Sequence, residues 1–95
     1  MSKKKIVIVE DEPDILEVLS YNLKREGFEV TTALDGARGL ELVEKNSPDL
    51  VVLDLMLPGI DGLEICQRIK NNKKLSHIPV IMVTAKGEES DVVLG

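Results

Sequence analysis

The chain has 95 residues, enough for one small domain with a single core. Its 17 acidic residues against 12 Lys and Arg give a net charge of −5, which disfavours direct nucleic acid contact through a basic face. Tyr21 and Phe28 are the whole aromatic content, so a base-stacking platform is excluded, and with Cys66 and His77 as lone representatives of their kinds there is no intrachain disulfide, Cys cluster or paired-His zinc motif.

The longest apolar runs, Ile6–Val9 and Leu50–Leu53 among them, span four residues each. A membrane-spanning helix needs about 20, and a signal peptide needs a longer apolar core than anything that follows Lys3 to Lys5. The expectation is a cytoplasmic protein without membrane contact.

In chain order, Ile6–Val9 is a continuous β-branched run, the pattern of a strand buried on both faces. A helix is predicted from about Pro13 to Glu26, with Ile15, Leu16, Leu19 and Leu23 on one face. Pro13 suits its first turn, acids lead it, Lys24 and Arg25 end it, and Gly27 stands where a left-handed residue is wanted. Phe28–Ala33 alternates partly and reads as a half-exposed edge strand. Asp35 is the expected N-cap of a second helix running to about Lys45, with Ala37, Leu40 and Val43 as its apolar stripe, stopped at Asn46-Ser47-Pro48. Leu50–Leu53 is the most apolar strand and is placed centrally. Pro58-Gly59 marks a loop, and Asp61 caps a third helix with Glu64 as capping-box partner and Ile65, Cys66 and Ile69 facing inward. Lys70, Lys73 and Lys74 gather at its end. Pro79 opens a fourth strand, Val80–Val83, and a fourth helix is expected near Glu88.

The order is βαβαβαβα. Crossovers this long require parallel pairing, and right-handed crossovers give an open sheet covered on both faces. Ligands of such sheets bind outside the carboxyl ends of the strands. Here the first strand ends in Glu10-Asp11, the third in Asp54 and the fourth in Thr84-Ala85. If the first and third strands are neighbours, their ends lie about 5 Å apart, and three carboxylates crowd one edge. Such a cluster needs compensation, either a retained proton or a divalent cation. With no His or Cys nearby the donor set is all oxygen, which selects Mg²⁺ before Ca²⁺ and leaves room for water and a phosphoryl group.

Val9-Glu10-Asp11-Glu12 after the first strand, Leu53 to Gly62 after the third, and Thr84-Ala85-Lys86 after the fourth resemble the receiver domain of bacterial two-component response regulators. The resemblance runs through the whole chain. It implies a flavodoxin-like (CheY-like) doubly wound α/β sheet with strand order 2-1-3-4. It also implies phosphorylation-dependent signalling: Asp54 would accept a phosphoryl group from a sensor histidine kinase. Asp11, Asp54 and the Met56 backbone carbonyl would ligate Mg²⁺, Glu10 would act mostly through bound water, and the Thr84 hydroxyl would donate to the phosphoryl oxygens. Such a domain catalyses only its own phosphorylation and dephosphorylation. The tail and the Asp54 loop are most similar to regulators that carry a winged-helix DNA-binding domain and control transcription.

The family has five βα units. The lysine after the fifth strand, the aromatic on that strand and the last helix have no counterpart here, and Asp91–Gly95 reads as the middle of a fourth helix cut short. The expectation is therefore one receiver domain over 1–95, truncated or engineered and incomplete at its C-terminus. With no fifth strand, Val80–Val83 would present an exposed edge, so a homo-oligomer or a complementing segment is expected there. Three other readings compete. A phosphatase of the haloacid-dehalogenase type wants a second acid two residues after the nucleophile, where Met56 stands. A flavodoxin-like nucleotide binder wants a phosphate loop that is missing. The third is an inactive α/β fragment.

Overall fold

The computed structural model describes residues 3–54, 57, 60–83 and 92–94. Its elements are β1 (Lys5–Val9), α1 (Pro13–Arg25), β2 (Glu29–Ala33), α2 (Gly36–Asn46), β3 (Leu50–Asp54), α3 (Gly62–Asn71), β4 (Val80–Val83) and β5 (Val92–Leu94). The sheet order is β2-β1-β3-β4-β5. The first four strands pair in parallel, with Val7 opposite Thr31 on one side and Val51 on the other, and Val52 opposite Ile81. This is the flavodoxin-like order 2-1-3-4 with helices between successive strands.

The alternation of the central strands divides the interior. Val7, Val9, Val51, Leu53, Val80 and Met82 join residues of α2 and α3, among them Leu42, Val43, Ile65 and Ile69, in the larger core. Ile6 and Ile8 face the other way and meet Leu16, with Leu19, Leu23, Phe28, Val30, Leu50 and Val52 packed around them. The central strands are apolar on both faces because helices cover both, as parallel sheets require.

Helix boundaries follow local chemistry. Pro13 opens α1, and Lys24 and Arg25 end it. The chain then turns through Gly27 at φ 97, a backbone region open to glycine without strain. Asp35 caps α2 by accepting from the Arg38 N–H at 2.8 Å, and Asp61 caps α3 by accepting from the Glu64 N–H at 2.9 Å. The Glu64 side chain pairs with Arg68 at 2.7 Å instead of closing the expected capping box. At the far end of α3, Lys70 Nζ donates to the Ile78 carbonyl at 2.8 Å and so ties the helix to the entry of β4.

Two further expectations are corrected. The buried face of α2 is Gly36, Gly39, Leu42 and Val43, with Ala37 exposed. A Cβ at Gly39 would overlap Val9 Cγ2 and one at Gly36 the Ile60 carbonyl oxygen, so the helix seats Gly39 against the sheet and Gly36 against Ile60, and turns Ala37 outward. The second concerns the tail. Val92–Leu94 were expected inside a fourth helix; they form β5, antiparallel to β4, with Val93 opposite Met82. Over three apolar residues periodicity cannot separate strand from helix, and the open edge of β4 offers unpaired backbone groups to β-branched residues. That edge is occupied, so the cause assigned to self-association is removed. The expected helix start near Glu88 lies outside the described residues.

Candidate functional site

Parallel pairing of β1 with β3 brings the carboxyl ends of both strands to the same edge, Val9 opposite Leu53. The next residues are Glu10 and Asp11 on one chain segment and Asp54 on the other. Glu10, Asp11 and Asp54 each offer a carboxylate oxygen, and these oxygens lie within 4.8 Å of one another. Asp54 is 1% exposed and Glu10 3%, while Asp11 is half-buried at the opening. The sequence-expected cluster is thus assembled. Met56 and Thr84, the other two expected site residues, lie outside the described residues.

Glu10 is held from two sides. Its N–H donates to the Ala33 carbonyl at 3.0 Å, and its Oε2 accepts from the Glu12 N–H at 3.0 Å. The Glu12 amide is a contributor that residue types could not disclose, because the group is backbone. The Glu10 carboxyl is pushed up to about 7 from 4.5, chiefly by burial. The Glu12 N–H opposes the shift, while the charge of Asp54 and hydrogen bonds with Asp54 and Asp11 add to it. A retained proton on Glu10 is one compensation open to the crowded carboxylates, and a divalent cation is the other.

The residues fit a hard divalent cation. All three donors are oxygens and they converge, and the repulsion between the Glu10 and Asp54 charges is one that a cation would relieve. A separate cleft of about 720 Å³ runs between α1 and the segment joining β2 to α2, past Leu16, Tyr21 and Leu34. Its charged groups, Glu17, Lys24, Asp35 and Arg38, are mixed in sign and do not form a convergent set.

Comparison with known proteins agrees with this architecture. The family described as the response regulator receiver domain matches residues 6–94. The alkaline phosphatase synthesis transcriptional regulatory protein PhoP of Bacillus subtilis (strain 168) is 49% identical over 92 residues, covering 97% of this chain and 38% of that protein. The chain therefore spans well under half the length of this relative. Among solved structures, the N-terminal domain of a response regulator receiver protein from Methanoculleus marisnigri JR1 has a TM-score of 0.83 at 40% identity, covering 93% of this chain and 72% of that one. The chemotaxis response regulator CheY4 of Vibrio cholerae has a TM-score of 0.85 at 26% identity, with 92% and 72% covered. The chain belongs to the response regulator receiver domain family. It is the receiver domain of a two-component response regulator, a module of phosphorylation-dependent signalling, and the reading as an inactive α/β fragment is not favoured. Among the described residues no helix is long and apolar enough to cross a membrane.

Proposed function

We propose that Asp54 is the phosphoacceptor, that the donor is a sensor histidine kinase, and that Glu10, Asp11 and Asp54 hold a Mg²⁺ ion during transfer. The observation that supports this reading is the convergence of three carboxylates, two of them almost fully buried, at the carboxyl ends of adjacent parallel strands. In the transfer an Asp54 carboxylate oxygen forms a bond to phosphorus as the bond from phosphorus to the donor breaks, and that electron pair leaves with the donor. Bound Mg²⁺ would offset the charge of the carboxylates and phosphoryl oxygens. Asp11, at the opening, and Asp54, at its floor, are the direct ligands in this reading. Glu10 acts mostly through water and is kept in place by the Glu12 N–H.

The Met56 backbone carbonyl is proposed as a further ligand, and the Thr84 hydroxyl as the group that hydrogen-bonds the phosphoryl oxygens. Both rest on the family resemblance. The domain would act on itself alone, through its own phosphorylation and dephosphorylation, in the cytoplasm. The name of the Bacillus relative supports a transcriptional output, carried by a part of the protein other than this acidic domain.

The test is intact mass after incubation with a small-molecule phosphodonor and Mg²⁺. A gain of one phosphoryl group, absent in Asp54→Ala and absent without Mg²⁺, is expected. A gain that persists in Asp54→Ala refutes the assignment of the acceptor.

A further inference from the structure

Helix α1 starts one residue later than its sequence invites. Its N-cap is Glu12, whose carbonyl accepts from the Leu16 N–H at 3.0 Å. Aspartate is among the residues favoured at a cap and glutamate is not. Asp11 stands one position earlier, yet its carboxylate belongs to the acidic cluster, within 4.8 Å of the oxygens that Glu10 and Asp54 offer. Were Glu12 helical, Asp11 would become the cap, and its carboxylate would turn to the N–H groups of the second and third helical positions. Those positions would be held by Pro13 and Asp14.

Two properties of Pro13 oppose that shift. Proline disfavours the helical region for the residue before it, and Glu12 is extended, at φ −91 and ψ 112. Proline also carries no N–H, so one of the two donors for an Asp11 cap is missing. Pro13 is itself exposed, so its effect is on the backbone and not on the core. The extended Glu12 serves the cluster in a further way, because its N–H donates to Glu10 Oε2 at 3.0 Å. Both ends of this short link are fixed. The Glu10 N–H donates to the Ala33 carbonyl at 3.0 Å, and Leu16 packs with Ile6 and Ile8. A helix lengthened by one residue therefore takes that residue from the link, and Asp11 and the Glu12 N–H leave their places together. From this geometry we infer that Pro13 is a positioning residue for the acidic cluster: it holds the start of α1 at Glu12, so that the Asp11 carboxylate stays with Glu10 and Asp54 instead of capping the helix. The inference rests on the reading of the cluster as a Mg²⁺ site.

The test combines Mg²⁺ affinity by calorimetry with the backbone chemical shifts of residue 12 by NMR. Pro13→Ala is expected to move the Glu12 shifts from extended toward helical values and to weaken Mg²⁺ binding by about 10–100-fold, the range for groups that orient ligands. Its melting temperature in Mg²⁺-free buffer should change little, because the cap gained offsets the freedom that the unfolded chain regains without proline. A rescue separates the helix start from the proline ring. Glu12→Ser supplies a favoured cap at position 12, so Glu12→Ser with Pro13→Ala should bind Mg²⁺ as tightly as Glu12→Ser alone. Unchanged affinity in Pro13→Ala overturns the inference, and so does a double variant that binds as weakly as Pro13→Ala. Glu12 shifts that stay extended in Pro13→Ala overturn it while leaving the reading of the site intact. Failure of the unmodified chain to bind Mg²⁺ overturns it together with that reading.

Discussion

A carboxyl at Glu10 that keeps its proton to about 7 links this fold to pH. Its value in the folded chain is raised from 4.5, so the folded state binds more protons than the unfolded one between those limits. The stability this group contributes is fully present below about 4.5 and is lost as pH rises through about 7. In Mg²⁺-free buffer the chain should therefore lose melting temperature relative to Glu10→Gln on going from about pH 5 to about pH 8. Each 1 kcal/mol corresponds to about 4–8 °C for a domain of this size. Saturating Mg²⁺ should remove the loss, because a cation stabilises the ionised cluster that the proton otherwise neutralises. Thermal melts that run parallel across this pH range for the two proteins would show that Glu10 titrates normally. At this scale much of the site was legible. Glu10, Asp11 and Asp54 could be read because each closes a strand and parallel pairing brings strand ends together. The Glu12 N–H that steadies Glu10 could not, since every residue but proline carries that group.

At the scale of elements, local chemistry was read correctly and packing less so. Asp35 announces its helix through a side chain that reaches only three residues ahead, to the Arg38 N–H. The stripe expected from Ala37, Leu40 and Val43 followed apolar side chains, whereas α2 is seated by what it lacks. Gly36 and Gly39 let the helix approach Ile60 and Val9, and the buried face rotates to include them. A glycine is silent in a hydrophobic pattern, so this rotation is visible only once the neighbour is known. The cap and the exposed ion pair of the same helix differ in value. Asp35→Ala leaves the Arg38 N–H without its acceptor and should cost about 0.5–2 kcal/mol. Glu41→Ala removes a pair with Arg38 that is more than half exposed on both sides and should cost under about 1 kcal/mol. Denaturant melts of the two variants check the order. Equal losses would mean that the helix start is held by its packing against Ile60 and Ile65 and not by its cap.

For the whole molecule, the parallel order explains why the acidic cluster exists at all. Four strands that run the same way place all their carboxyl ends on one edge, so acids far apart in sequence, Glu10 and Asp54, become neighbours. That much follows from alternating βα units. The tail does not, because a run of three apolar residues takes its structure from what it meets. Here Val92–Leu94 meet the outer edge of β4 and pair with Ile81, Met82 and Val83. β4 contributes Val80 and Met82 to the larger core, so the strand that β5 covers is central to stability. Removing residues 92–95 should therefore expose a flat, apolar strand edge, which is a template for pairing with another copy. The shortened chain is expected to melt lower than the 95-residue chain and to sediment with a weight that rises with concentration, while the longer chain shows no such rise over the same range. If the shortened chain sediments and melts like the longer one, β5 does not protect β4. The edge would then be kept solitary by its short length, since four residues present few backbone groups for a second copy to pair with.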